Sequence, residues 1–290
     1  MKKQLLVTTF CSLLLAGYGC SSPKAESQPQ DLTQYVDPYI GSGGHGHVFV
    51  GANVPYGLVQ LGPSSIPQEW DWTSGYHISD STVIGFPHMH LSGTGIGDLH
   101  DITLMPVTGQ VTYARGVESD PTSGLWSYSD RSKEVVKPGY YATHLLRYNV
   151  DVELTATKRV GFHKYTFNNP AEAAVVFDLQ NGGCWDSPTA AYINKVGEKT
   201  IEGYRYSSGW ANDQRVFFVA EFSEPISSLD VIVDKGEAVA DKGEGKIVYA
   251  RANVDAQKPV YVKVALSPTS IENAKLNMQT ELPGWDFEGT

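Results

Sequence analysis

The 290-residue chain is long enough for one large domain or two small ones, and its 41% hydrophobic content suffices to bury a core. A formal charge of −10 argues against nucleic acid or an anionic membrane surface as a partner held by charge, while leaving a neutral ligand such as a glycan indifferent. Three cysteines, at positions 11, 20 and 184, are too few for a disulfide framework, so the fold must rest on its core.

In chain order, Lys2 and Lys3 form a positive start and Leu5 to Ala16 an apolar run too short to span a bilayer comfortably. Gly17-Tyr18-Gly19-Cys20 then reads as a loose lipoprotein cleavage site, with Cys20 taking the lipid and a Ser-, Pro- and Gln-containing tether after it. The expectation is a signal peptide over 1–19 and a lipidated tether over 20–31; a plain signal peptide is the alternative. Either gives an exported protein. The lipoprotein form sits at the periplasm or the outer membrane and cell surface, held to the membrane through its lipid. Removing Lys2 and Lys3 takes the charge from −10 to −12. Cys184 is then left alone, and reads as a small buried thiol rather than a nucleophile.

Tyr35 to Gly109 holds six of the eight histidines, and three patches in it could carry chemistry. The first, Gly41-Ser42-Gly43-Gly44-His45-Gly46-His47, packs four glycines into six residues and lets a ligand approach backbone N–H groups; a tight buried turn is the bland alternative. It lacks the Gly-Lys-Ser/Thr of a phosphate loop. The second, Trp70-Asp71-Trp72-Thr73-Ser74-Gly75-Tyr76-His77, sets aromatic rings beside polar groups, which suits the C–H faces and hydroxyls of a sugar; core tryptophans are the alternative. The third is His88-Met89-His90-Leu91-Ser92-Gly93-Thr94-Gly95-Ile96-Gly97-Asp98. On a strand, His88 and His90 would face one way like two zinc ligands, with Asp98 or Asp101 completing a site; histidines bonded into the core are the alternative.

From about Tyr113 onward the chain alternates with period two, in Tyr140–Arg147, Val160–Phe167, Ala173–Leu179, Val216–Phe222, Leu229–Val233, Lys246–Val254 and Val260–Leu266. In the last run Val260, Val262, Val264 and Leu266 share one face, with Tyr261 and Lys263 on the other. Many short strands separated by Asn, Asp, Gly and Pro predict an all-β fold, a large antiparallel β-sandwich. One helix follows, capped by Thr269 with Glu272 three residues on, carrying the stripe Ile271, Ala274 and Met278 and ended by Pro283-Gly284. The tail Trp285 to Thr290 reads as a linker without stabilising context.

Taken together, the ordered blocks Asp37–Gly41, Gly44–His47, Gly51–Gly57, Ser74–Tyr76, Ile84–Phe86 and His90–Gly95 resemble the amino-terminal domain of family 92 glycoside hydrolases. Further along, Gly209-Trp210-Ala211-Asn212-Asp213-Gln214-Arg215 and Ser270–Ala274 also look like that family. The resemblance implies a galactose-mutarotase-like supersandwich over 32–267, with 268–290 starting a linker to a helical toroid domain absent from this chain. It implies an exo-acting, calcium-dependent α-mannosidase that works with inversion on mannose-containing glycans such as N-glycans. Its catalytic acid and base, and most of its calcium ligands, would lie in that helical half, so this chain carries no catalytic residue and no metal ligand of its own. What remains here is a pocket wall: Trp70 or Trp72 against the sugar, backed by Gly43, Gly44, His45 and His47, with His88, His90, Asp98 and Asp101 in support. By itself the chain is then expected to be inactive. A stand-alone carbohydrate-binding sandwich and a His-x-His metallohydrolase are the competing readings.

Overall fold

The computed structural model describes residues 31–180 and 185–290. The expected signal peptide, Cys20, most of the tether and Cys184 lie outside the described residues. Two compact units are distinguished, Met1–Gln34 and Tyr35–Thr290. Of the first, only 31–34 is described, where the Asp31 carboxylate accepts from the Thr33 backbone N–H at 3.0 Å.

The second unit is a sandwich of two antiparallel sheets. The larger has nine strands in the order Lys242–Gly245, Ser187–Lys195, Thr200–Ser208, Gln214–Phe222, Val260–Ser267, Val160–Phe167, Val150–Ala156, Tyr140–Leu145 and Val135–Lys137. The smaller has five, in the order Ala238–Ala240, Ile226–Val233, Val248–Val254, Ala173–Asp178 and Thr103–Thr108. Alternation sets the inner faces. Val216, Phe218, Ala220 and Phe222 point inward from one strand, Val260, Val262, Val264 and Leu266 from its neighbour, and they share one core with Leu229, Val231, Ala250 and Ala252 of the other sheet.

Each of the seven strands foreseen from alternation is present. Val150–Ala156 escaped that reading although it alternates cleanly, while two others that escaped it break its assumptions. Thr103–Thr108 is buried almost throughout, so no alternation marks it, and it carries Pro106, which a sheet tolerates at the edge position this strand occupies. Thr200–Ser208 alternates in reverse: its buried positions are Ile201, Gly203, Arg205 and Ser207, while Tyr204 and Tyr206 stay half-buried on the other side.

The larger sheet is also covered on its outer face. The helix Ile271–Glu281 lays Ala274 and Met278 against Val160, Phe162, Val219 and Ala265. Its cap is Ser270, not Thr269: the Ser270 hydroxyl accepts from the Asn273 N–H at 3.1 Å, and Thr269 instead accepts from the Asn273 side chain at 2.7 Å. The register is one residue later than the capping-box pattern implied, because Asn273, three residues past Ser270, also supplies the side chain that Thr269 binds.

Nor does the tail lack context. Phe287 is buried against Phe162, 5.1 Å between ring centres, and Tyr261, 6.1 Å away. Lys263, on the face opposite the valines as expected, is buried beneath it. Its ammonium pairs with Glu221 at 2.8 Å, donates to the Leu282 carbonyl at 3.2 Å and sits 4.2 Å from the centre of the Trp285 ring.

Candidate functional site

The three patches read from sequence meet at Trp70. A single 3₁₀ turn, Trp70–Trp72, throws the Trp70 ring outward, leaving it 51% exposed. Its inner edge rests on His47, 4.1 Å between ring centres in an edge-on contact, with His45 at 5.7 Å. Its indole N–H donates to the Gly95 carbonyl at 3.0 Å. Gly95 has φ +67°, and a Cβ there would lie 2.7 Å from the indole, so only glycine lets this loop carry the ring.

Asp71 closes the arrangement from below. Its Oδ1 bonds His45 Nδ1 at 2.7 Å and lies 3.3 Å from the buried His47 Nε2, which has no hydrogen bond of good geometry. The bond from His45 holds the Asp71 carboxyl below the ordinary carboxylate range. The turn 41–47 that supplies both histidines is closed by Val48 N–H on the Gly41 carbonyl at 3.1 Å and Gly46 N–H on Gly43 at 3.3 Å. Gly44 and His45 stand exposed at its tip, and Gly43 is half-buried against Ile78.

Trp72 faces elsewhere. It stacks on His77 at 4.3 Å and donates to Asp80 at 2.7 Å, so it props the loop from within, while Trp70 presents the open ring. His88 and His90 lie on no strand and do not converge. His88 is bonded to the Ile102 carbonyl at 2.6 Å and to His163 at 2.8 Å, and His163 in turn to Tyr165 at 2.7 Å. His90 bonds the Gln60 carbonyl at 2.7 Å and stacks on Phe49. Burial pushes both down to about 4, so they are neutral interior groups. Among the described residues, no three His, Cys, Asp or Glu side chains are gathered so as to hold a metal ion. The zinc-ligand geometry expected of a His-x-His strand is therefore not formed, because the segment is not a strand and the two rings bond different partners.

The two aspartates serve as anchors. Asp98, 5% exposed, accepts from the Trp210 backbone N–H at 2.6 Å. Asp101 and Arg205 are fully buried, and Arg205 reaches Asp101 at 2.6 Å and the half-buried Asp186 at 2.9 Å, while Gln214 donates to Asp101 at 2.5 Å. Burial acts to lower the Arg205 guanidinium, and the charges of Asp101 and Asp186 outweigh it, so Arg205 is raised and stays charged. Its remaining donors reach the Leu179 and Gln180 carbonyls. Sequence reasoning gave no role to Arg205, Asp186, Trp185 or Trp210. A lone arginine at an inward position of an alternating strand was the available signal for the first.

A model of the glycosyl hydrolase family 92 N-terminal domain matches residues 35–267. The chain belongs to glycosyl hydrolase family 92. Within that family it is similar, at 34% identity and a TM-score of 0.84 over 89% of its length, to an α-mannosidase of Bacteroides thetaiotaomicron solved with mannoimidazole. An inverting mannosidase of the same organism, at 20% identity and a TM-score of 0.69, shares the fold. A curated relative from Arthroderma benhamiae, described as an uncharacterized secreted glycosidase, is 25% identical over 96% of the chain. The chain spans 35% of the Bacteroides α-mannosidase and 38% of the Arthroderma relative, and the family 92 match is to the amino-terminal domain alone.

Proposed function

We propose that this family 92 domain forms one wall of the sugar pocket of an exported, exo-acting α-mannosidase that trims mannose-containing glycans, N-glycans among them. The observation that carries it is the exposed Trp70 ring, clamped by His47 and Gly95 with the Asp71–His45 pair beside it. An aromatic face takes the C–H side of a pyranose, and the fixed carboxylate and imidazole take its hydroxyls. A relative solved with mannoimidazole makes a mannoside the favoured sugar.

The acid and base of an inverting hydrolysis are two carboxylates about 6.5–9.5 Å apart, with room for water between them. The aspartates gathered at this site are committed otherwise: Asp71 to His45, Asp98 to Trp210, and Asp101 and Asp186 to Arg205. We assign the catalytic pair to the carboxy-terminal helical domain that the resemblance implies, with 268–290 leading toward it. The carboxylates around Trp70 are spent on histidines, an amide and a guanidinium, so they do not fit an oxygen cage for calcium, and we assign most of its ligands to that other domain. Export and anchoring through Cys20 complete the reading; the secreted relative supports export.

The test is a titration of this chain with methyl α-mannoside, followed by calorimetry, alongside a hydrolysis assay on an aryl α-mannoside. Binding that Trp70→Ala abolishes, with no turnover, is the expected result. Turnover by this chain alone, or affinity indifferent to Trp70→Ala, overturns the assignment.

A further inference from the structure

Glu134 gathers three tyrosine hydroxyls from separate parts of the chain. Its side chain is 4% exposed. Oε2 accepts from the Tyr39 hydroxyl at 3.2 Å and the Tyr76 hydroxyl at 3.1 Å, while Oε1 accepts from Tyr141 at 2.9 Å. Arg131, three residues earlier, donates to both oxygens at 2.7 and 2.9 Å and supplies the charge that a carboxylate removed from water needs. The same guanidinium donates to the Tyr76 hydroxyl, lies 4.9 Å from the centre of that ring and reaches the His77 carbonyl at 3.4 Å.

The support beneath Glu134 is part of the sheet. Asp130 caps the 3₁₀ turn Arg131–Lys133 by accepting from the Ser132 N–H at 3.0 Å, and Glu134 runs directly into the edge strand Val135–Lys137. That strand pairs with Tyr140–Leu145, on which Tyr141 is fully buried. The other two tyrosines belong to loops. Tyr39 stands two residues before the glycine turn 41–47, and its carbonyl accepts from both the N–H and the hydroxyl of Ser42, at 3.0 and 2.8 Å. Tyr76 stands four residues after Trp72, just past the Gly75 N–H that closes on the Trp72 carbonyl at 2.9 Å. The two loops meet again where the Ile78 N–H donates to the Ser42 carbonyl at 2.9 Å.

A hydrogen bond to a charged acceptor is shorter and stronger than a neutral one, so it fixes a loop at a defined distance from its support. We propose that Glu134 is a positioning residue of the sugar wall. By holding Tyr39 and Tyr76 on one oxygen, it sets the turn that carries His45 and His47 against the turn that carries Trp70. Buried as it is, it acts through these loops and not on the sugar. The inference rests on the pocket-wall reading and names what keeps the two halves of that wall in register.

The experiment compares the parent chain with Tyr39→Phe, Glu134→Gln, Tyr140→Phe and Trp70→Ala. Tyr140 is the control: its hydroxyl donates to Glu153 at 2.8 Å from the opposite face of the strand that holds Tyr141, and that bond ties neither loop. Calorimetry reads affinity for methyl α-mannoside, urea unfolding reads stability, and heteronuclear NMR reads the Trp70 indole N–H, identified by its loss in Trp70→Ala. Tyr39→Phe is expected to weaken binding about three- to tenfold, the effect of one hydrogen bond expressed as affinity, and to shift the Trp70 signal while the urea midpoint stays near the parent's. Glu134→Gln moves affinity and signal in the same direction; should it fail to fold, Tyr39→Phe carries the test alone. Tyr140→Phe leaves both readouts at parent values. An unaltered affinity and Trp70 signal in Tyr39→Phe, or an equal loss of affinity in Tyr140→Phe, overturns the positioning role and leaves the wall intact. No binding by the parent, or binding indifferent to Trp70→Ala, overturns the wall itself and this role with it.

Discussion

Replacing Arg205 by Met leaves Asp101 and Asp186, both within 2.9 Å of the guanidinium and essentially without solvent, as two buried carboxylates lacking their cation. Breaking such a pair from one side costs about 3–5 kcal/mol, because the charge left behind is uncompensated. The loss must depend on pH. In the variant, burial and mutual repulsion raise the folded-state pKa of the two carboxyls above their unfolded values. The unfolded chain then sheds protons that the folded chain keeps, so the penalty grows as pH rises and shrinks as pH falls. Urea unfolding at 25 °C, followed by circular dichroism at pH 8 and pH 5, reads this as a shift of midpoint at constant slope. The deficit relative to the parent should be clearly smaller at pH 5. Adding Asp101→Asn and Asp186→Asn to Arg205→Met should recover part of the loss at pH 8. A deficit under about 1 kcal/mol, or one equal at both pH values, refutes the claim that a buried charge cluster joins Asp101, Asp186 and Gln214.

Other consequences are equally direct. Trp72→Ala, which loses the His77 stack and the bond to Asp80, should cost about 2–3 kcal/mol in urea unfolding, whereas Trp70→Ala should stay within about 1 kcal/mol; equal costs would erase the distinction between prop and platform. His90 is depressed to about 4, so above its unfolded value of about 6.5 it contributes its full stability, which is lost as pH falls from there toward 4, at about 1.4 kcal/mol per unit. His90→Gln should flatten the stability profile over that window by one proton, and an unchanged slope would show that His90 does not titrate this way. Phe287→Ala should destabilise by about 3–5 kcal/mol if the tail packs as found, and by less than about 0.5 kcal/mol if it is an idle linker; thermal or urea unfolding decides.

The strands were readable from sequence because a half-buried sheet imposes a period of two on polarity, and the sandwich followed from their number and their turns. Arg205 was hidden by the same rule, since it stands where an apolar side chain is expected and its two carboxylate partners are 104 and 19 residues away in sequence. Lys263 was read on the correct face, but nothing local announces that the tail returns to cover that face of the sheet.

The site divides in the same way. Its ingredients were legible as patches rich in glycine, histidine and tryptophan, because residue type alone reports what backbone and ring chemistry is on offer. Which tryptophan opens to solvent, that His88 and His90 part company, and that Glu134 gathers Tyr39 and Tyr76 were settled by tertiary structure. Each depends on the direction of a side chain, and direction is set by hydrogen bonds between segments that the linear order keeps apart.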